Sequence, residues 1–338
     1  MKYLYEVTII RPLIIFLLIV FHCLCVYNGK WDAIESIGNV PFYYWIANFI
    51  SGIQLEAMAF ISGYVYSFQM NELKRQSEFK SLVIKKFKRL LIPCYFFSIL
   101  YYVLILRHTK TYSYEEIIYL VSNGAGHLWF LPMLFWCFVL LYFVHKYIKS
   151  NFKVLIALAF VSILPSPYLP LGIGRVFHFM FYAYAGYYLW LEKARIINLF
   201  MNKRYWLCCI YVVLLYFSCI IENMEISNFE ISLLFKVIVR LLKLFLATIG
   251  ILALYLIVYK YLLHKEKLAH SIIYINSICY GLYIFHQFFL KYLYYQTDLP
   301  AIVGSIYLPW VGLLIALPCS YMLTYILLKN KYGRMLIG

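Results

Sequence analysis

Long unbroken runs of apolar residues constrain this chain more than any other feature of its sequence. A helix needs about 20 such residues to cross a hydrocarbon layer about 30 Å thick. Segments that meet or approach this length are 8–27, 42–69, 90–108, 127–146, 153–169, 176–192, 205–221, 236–259, 272–294 and 305–328. Their apolar residues are continuous rather than alternating, which argues against the strands of a membrane barrel. The sequence therefore predicts an all-α polytopic membrane protein with about ten transmembrane helices.

The composition excludes a soluble enzyme. Hydrophobic residues make up 65% of the chain and charged residues 13%, whereas soluble domains average about 45–50% and about 25%. In a soluble protein, a net charge of +16 would indicate binding to nucleic acid. In a membrane protein, the same excess indicates cationic loops facing anionic lipids. We therefore predict contacts with membrane lipids and none with nucleic acid.

The basic residues also predict an orientation. Lys and Arg are concentrated in alternate connecting segments, at 70–89, 146–153, 193–204 and 260–267. Because cytoplasmic loops carry the excess of such residues, both termini are predicted to lie inside. The sequence shows no long linker or internal repeat, so we expect a single transmembrane domain over residues 1–338.

The first predicted span contains two ionisable residues, although placing such groups within the bilayer costs free energy. Arg11 lies near the inner end of this span, and His22 follows about 16 Å further along the helix. A buried histidine can be a neutral packing residue, or it can act as a general base because imidazole titrates near neutrality. Both interpretations of His22 stay open at this point.

Glu56 is the one carboxylate deep within a predicted span, and it should lie at nearly the depth of His22. It can orient the histidine and stabilise its imidazolium, or it can line a polar cavity for another reason. We include it among the candidate catalytic residues.

Further polar residues mark the two ends of the predicted bundle. His286, His127 and Trp129 are predicted in its outer half. Lys236, Arg240 and Lys243 share one helix face there, where they can either snorkel toward headgroups or clamp an anionic acceptor such as a phosphate-linked glycan.

On the inner side, a basic cluster between 74 and 89 lies near a small-residue pair, Ser62 and Gly63. The cluster can simply determine topology. Cations beside small residues also suit a phosphate-bearing ligand.

Five motifs spread along the chain carry a family resemblance. They are RPLIIFLLIVFH at 11–22, FISGYV at 60–65, KKFKRLLIP at 85–93, GHLWFLPMLF at 126–135 and YGLYIFH at 280–286. Each is weak alone, but their order and their placement in the spans resemble the integral-membrane acyltransferase 3 family. This family consists of O-acyltransferases that modify surface glycans and lipids.

The resemblance implies transfer of an acyl group, most often acetyl, from cytoplasmic acyl-CoA to a hydroxyl of a cell-surface or lipid-linked glycan. It implies a multi-pass protein of the bacterial plasma membrane, with acyl-CoA as co-substrate and no tightly bound cofactor. His22 would be the base and Arg11 its essential partner in donor binding, and the two should face one hydrated tunnel. The role of Glu56 is not inherited from the family. The full set of candidates is catalytic His22, Arg11 and Glu56; donor-binding Ser62, Gly63, Lys86 and Arg89; and acceptor-binding Trp129, His127, Arg240, Lys243 and His286.

Two other functions were weighed. Internal repeats, broken helices and several intramembrane carboxylates are typical of a glycan or lipid transporter. The sequence shows one such carboxylate and no repeat. A metal or haem protein built on His22, Cys23, Cys25 and His286 lacks ligand spacing, because adjacent helical residues point about 100° apart. We therefore predict no metal site.

Overall fold

The computed structural model describes residues 4–75, 78–109, 111–148, 151–165, 169–222, 224, 229–262 and 270–337. Within these ranges the chain forms helices and no strand, which confirms the all-α polytopic fold class. The helices are α1 (Tyr5–Leu24), α2 (Pro41–Ser51), α3 (Gln54–Asn71), α4 (Phe79–Lys86), α5 (Ile92–Leu104), α6 (Tyr114–Asn123), α7 (Phe130–Tyr147), α8 (Phe152–Ile163), α9 (Ile173–Leu191), α10 (Lys193–Phe200), α11 (Arg204–Glu222), α12 (Phe229–Leu262), α13 (His270–Tyr295), α14 (Leu299–Lys329) and α15 (Lys331–Ile337).

Among the described residues, eight helical segments are long and apolar enough to cross a membrane, judged by length and composition. The predicted fifth and sixth spans coincide with α8 and α9, which are not among these eight. At 12 residues, α8 is shorter than any of these eight segments. The count of ten spans and the orientation therefore stay predictions.

The second predicted span consists of two helices rather than one. The break between α2 and α3 falls at Gly52 and Ile53. The hydroxyl of Tyr211 in α11 donates a hydrogen bond to the carbonyl of Phe49, the oxygen that would accept from the amide of Ile53 in a continuous helix. That amide bonds to the carbonyl of Ile50 instead, at 3.2 Å. A side chain from another helix has thus replaced one helical hydrogen bond.

Two glycines allow α3 and α9 to pack backbone against backbone. A Cβ atom on Gly63 would lie 1.7 Å from the carbonyl oxygen of Ala183, and one on Gly186 would lie 1.9 Å from that of Phe60. Close packing through small residues is typical of membrane helices. On another side of the bundle, α1 packs against α13, α14 and α3. This arrangement places α1, which carries Arg11 and His22, among helices that also contribute polar groups.

Candidate active site

Two buried histidines from distant parts of the chain meet at the end of α1. His22 lies in the last turn of α1, and its Nδ1 atom is 3.0 Å from Nε2 of His286 in α13. The ring of His286 is fully buried, and its Nδ1 atom is 3.0 Å from the carbonyl oxygen of Leu282, one helical turn earlier. The fold thus pairs two imidazoles that are 264 residues apart in the sequence.

These partners determine which nitrogen of each neutral ring carries the proton. A carbonyl oxygen only accepts hydrogen bonds, so Nδ1 of His286 must be the donor to Leu282. The Nε2 atom of the neutral ring then holds a lone pair and accepts from Nδ1–H of His22. The remaining nitrogen of His22, Nε2, consequently carries a lone pair and is free to take a proton.

A cavity of about 640 Å³ opens beside His22, and we call it the histidine cavity. Its wall is rich in aromatic and polar groups, including Trp31, Glu56, His127, Trp129 and Lys291. The indole of Trp31 stacks on the imidazole of His22, with ring centroids 5.8 Å apart and planes inclined by 27°. The ammonium of Lys291 lies 4.1 Å from the centre of the same indole. Trp31 therefore forms a fixed wall for the imidazole of His22.

A third histidine, His127, completes the cluster but is held by other groups. Its Nδ1 atom is 2.6 Å from Oε1 of Gln287, which also accepts from the backbone amide of His127 at 3.0 Å. Its Nε2 atom is 3.0 Å from the carbonyl oxygen of Ile284. The centroid of its ring is 4.8 Å from that of His286 and 6.2 Å from that of His22. Because both its ring nitrogens are engaged, His22 is the member of the cluster with a nitrogen available to substrate.

The carboxylate of Glu56 has a partner other than the one considered for it from the sequence. Its Oε1 atom is 3.5 Å from Nε2 of His178 in α9, whereas the partner of His22 is His286. The other oxygen, Oε2, is buried and has no hydrogen-bond partner among the described residues. Glu56 lies in the first turn of α3, where the helix dipole favours a negative charge. It belongs to the wall of the histidine cavity and does not orient the imidazole of His22.

A second cavity, of about 360 Å³, surrounds Arg11, and we call it the arginine cavity. The predicted donor-binding residues Ser62, Lys86 and Arg89 line it together with Arg11. The guanidinium of Arg11 donates to Oδ1 of Asn276 at 3.1 Å, which fixes its position on the cavity wall. Three cations from two segments of the chain thus line one space.

The basic residues of this cavity lie on an irregular stretch of helix. Residues Phe87–Leu91, which include Arg89, form a π-helical turn between α4 and α5. Such turns are rare and occur frequently at functional sites. Lys86, just before this turn, holds its ammonium 3.3 Å from the centre of the Phe138 ring. The turn and this contact keep the basic residues beside the cavity.

Tyr283 lines both cavities, so its side chain belongs to a wall that the two spaces share. Its ring is 3% exposed, and its hydroxyl donates to the carbonyl oxygen of His127 at 2.6 Å. The sequence predicts one tunnel shared by Arg11 and His22. The structure instead shows a cavity for each of these residues, with Tyr283 in the wall of both.

Two predicted acceptor-binding residues, Trp129 and Lys243, line the histidine cavity. The guanidinium of Arg175 lies over the indole of Trp129, at 4.1 Å from its centre. The ammonium of Lys243 forms an ion pair with Glu222, with a nitrogen–oxygen distance of 2.7 Å. Both positions are compatible with a bound acceptor.

Two other predicted binding residues have packing contacts. Gly63 faces the backbone of Ala183 in the α3–α9 contact. The guanidinium of Arg240 donates to the carbonyl oxygen of Ile163 at the end of α8, at 3.1 Å. These contacts give no support to a donor-binding role for Gly63 or an acceptor-binding role for Arg240.

Several residues of the site were not singled out from the sequence: Trp31, Gln54, Asn276, Gln287 and Lys291. Asn276, Tyr283 and Gln287 follow one another at intervals of seven and four residues in α13, which places them on one face of that helix. This spacing was available in the sequence as a signal. Trp31 follows α1 in an irregular segment, where no periodicity exists to reveal it.

No group of three or more His, Cys, Asp or Glu side chains in the described part of the chain is arranged to hold a metal ion. The ring nitrogens of His127 contact the side chain of Gln287 and the carbonyl oxygen of Ile284. Those of His286 contact the ring of His22 and the carbonyl oxygen of Leu282.

Comparison with known proteins gives one match. A family model described as an acyltransferase domain matches residues 4–329, nearly the whole chain. No curated protein matches the chain, and no solved structure does.

Proposed function

Because the chain belongs to the acyltransferase 3 family, we propose that this acyltransferase moves an acetyl group from cytoplasmic acyl-CoA to a hydroxyl of a cell-surface or lipid-linked glycan. The observation that carries the proposal is the hydrogen bond between His22 and His286. It fixes the ring of His22 beside a polar cavity and leaves the lone pair on its Nε2 atom. A multi-pass membrane protein is indicated by its apolar helices. We place it in the bacterial plasma membrane.

The proposed reaction needs one base and returns it unchanged. Nε2 of His22 takes the proton of the acceptor hydroxyl while that oxygen attacks the carbonyl carbon of the thioester. The tetrahedral intermediate then collapses, the carbon–sulfur bond breaks, and the proton passes from Nε2 to the departing sulfur. General base catalysis of this kind contributes about 10²–10⁴-fold to the rate.

The donor would bind with its phosphates in the arginine cavity. Arg11, Lys86 and Arg89 supply positive charge there, and arginine suits phosphate because its guanidinium donates two parallel hydrogen bonds. Arg11 and His22 are separated by about 16 Å along α1. The pantetheine arm of the donor is a flexible chain that would extend over this distance, past Tyr283, to bring the thioester to His22.

The acceptor would bind in the histidine cavity. Trp129 offers an aromatic face to a sugar ring. The cavity wall also carries positive charge that would attract a phosphate-linked glycan, from the side chains of Lys30, Lys243 and Lys291. His127 lines this cavity, whereas His286 lies behind its wall and would act only by orienting the imidazole of His22.

The proposal is tested in cells that lack the gene, complemented with wild-type protein or with the variants His22→Ala and Arg11→Ala. Mass spectrometry of the surface glycan should show an acyl mass increment with wild type and its loss with both variants. His108→Ala is the matched control, because this histidine is exposed in a surface turn, and it should retain the increment. Membrane levels of each protein are measured in parallel. Wild-type acylation by a well-inserted His22→Ala variant would refute the assignment of the base.

One observation favours the transporter function that the sequence left open. The break between α2 and α3 lies within one apolar segment, and Ser51 and Gly52 at the break line the histidine cavity. Discontinuous helices beside a binding site are typical of transporters. Purified protein decides between the two functions, since a transferase releases CoA thiol from acyl-CoA in detergent and a transporter does not.

A further inference from the structure

The first turn of α3 presents two hydrogen-bond acceptors to the histidine cavity that the proposed chemistry does not use. The side chain of Gln54 is 2% exposed, and its Oε1 atom has no partner among the described residues. Oε2 of Glu56 is likewise buried without a partner in the described part of the chain. Both residues line the histidine cavity together with His22. Buried polar atoms are rarely left without a hydrogen bond, so we infer that a ligand supplies the missing partners of these two atoms.

The chemistry of the two atoms defines that ligand. Both are oxygens that accept hydrogen bonds, so the ligand must bring one donor to each of them. A carboxylate would repel a phosphate placed directly against it, so the part of the ligand bound here must be neutral or positive. Neighbouring hydroxyls on a sugar ring meet both conditions, because each can donate to one oxygen.

The surroundings of the pair support the same class of ligand. Oε1 of Glu56 pairs with His178, and Oε2 takes no part in that ion pair. Two of the lysines that line the cavity have other contacts, since Lys243 pairs with Glu222 and Lys291 lies over the ring of Trp31. The indole of Trp129 in the same wall adds an apolar face of the kind on which sugar rings stack.

We propose that Gln54 and Glu56 bind two neighbouring hydroxyl groups of the acceptor ring and thereby select which hydroxyl reaches Nε2 of His22. This inference rests on the proposed transferase function. It makes Gln54 and Glu56 specificity-determining residues for the acceptor and gives neither of them a part in proton transfer.

The test uses purified full-length protein, acetyl-CoA, and surface glycan from the same cells after mild base has removed its ester groups. Two rates are measured: acetyl transfer to this glycan, and the slow release of CoA thiol by hydrolysis when glycan is omitted. The variants are Gln54→Met, which keeps the length of the side chain, and Glu56→Gln, which removes only the charge. Glu56→Asp is added because it keeps the carboxylate should Glu56→Gln fold poorly.

Each variant is expected to raise the acceptor KM about tenfold, the effect of losing one hydrogen bond to a hydroxyl, or to move the acetyl group to another carbon of the ring. The donor KM and the hydrolysis rate should stay at their wild-type values. Glu115→Gln is the control for loss of a carboxylate, since Glu115 is exposed in α6. It should leave all these values unchanged.

Unchanged acceptor KM and unchanged position of the acetyl group in both variants would overturn the inference. A parallel fall in transfer and hydrolysis would also overturn it, since it would place the residues in the chemistry itself. Failure of the proposed function is distinguishable, because the wild-type protein would then show neither transfer nor hydrolysis.

Discussion

The hydrogen bond between His22 and His286 makes a sharp prediction about the second histidine. In His286→Leu, the Nδ1–H group of His22 loses its acceptor in a place where both side chains are at most 8% exposed. An unsatisfied buried donor costs about 1–3 kcal/mol. The neutral imidazole of His22 avoids this cost by rotating or by moving its proton to Nε2. Either change removes the lone pair from the cavity.

The expected loss of rate follows from that energy. A penalty of about 1–3 kcal/mol on the productive arrangement corresponds to a fall in kcat of about 5-fold to 160-fold. This is smaller than the loss expected for His22→Ala, which removes the base and its entire contribution of about 10²–10⁴-fold. In His286→Gln, the amide oxygen can accept from His22 at nearly the position of Nε2. This variant should therefore recover most of the wild-type rate.

The assay is release of CoA thiol by purified protein at varied donor and acceptor concentrations. For His286→Leu, kcat should fall and both KM values should stay unchanged, because the interaction fixes the base rather than either substrate. His145→Leu is the matched control. It removes a histidine bonded to the hydroxyl of Tyr187 at 2.7 Å, away from both cavities, and should affect stability without affecting kcat. A raised acceptor KM with unchanged kcat in His286→Leu would refute this reasoning and support the acceptor-binding role predicted from the sequence.

Three further outcomes are expected. Arg11→Gln should raise the KM for acyl-CoA about tenfold or more with little change in acceptor KM, measured by the same thiol assay, since a charged hydrogen bond to phosphate is lost. Gly63→Val should prevent folding, because its Cβ atom would lie 1.7 Å from the carbonyl oxygen of Ala183. The loss would be measured as the absence of a monodisperse peak in detergent. A stable, active variant would show that α3 and α9 can separate. Tyr283→Phe removes the hydrogen bond to the carbonyl of His127 and should change the rate less than fivefold, about the value of one neutral hydrogen bond, whereas a larger loss would indicate that this hydroxyl takes part in the reaction.

The sequence predicted those features of the site that depend on one helix alone. Arg11 and His22 lie on α1 at depths that follow from the helical rise, so their separation needed no tertiary information. The all-α fold class likewise follows from the length of the apolar runs. The grouping of Lys86 and Arg89 with Arg11 was also predicted, because charges from neighbouring segments at one end of a bundle gather near each other.

Pairings between helices could not be predicted in the same way. The depths of His22, Glu56 and His286 were expected to be similar, and the choice of partner depends on how the helices are rotated against each other. The rotation pairs Glu56 with His178 and His22 with His286. Spacing shows which residues share a face of one helix, but it does not show which other helix that face meets.

The break between α2 and α3 was missed for a related reason. Its cause is the hydroxyl of Tyr211, which bonds to the carbonyl of Phe49 from a helix far along the chain.

A carboxylate at the start of α1 was missed as well. Glu6 is 8% exposed and binds Lys193 and Tyr64, each at 2.6 Å, although its position in the sequence is that of a polar tail. Long-range contacts of single side chains determine both features.

The use of a neutral histidine to orient the base has a physical rationale at this depth. A carboxylate in the place of His286 would have to be buried with its charge, which is costly in a low-dielectric region unless a partner neutralises it. A neutral imidazole holds His22 in the required tautomer without that cost, but it gives the transient imidazolium less stabilisation than a carboxylate would. A thioester is an activated acyl donor with a good leaving group, so the reaction needs less help from the base. The proposed site thus combines a neutral orienting group with an activated donor, and it leaves Oε2 of Glu56, which has no hydrogen-bond partner among the described residues, for the acceptor binding proposed above.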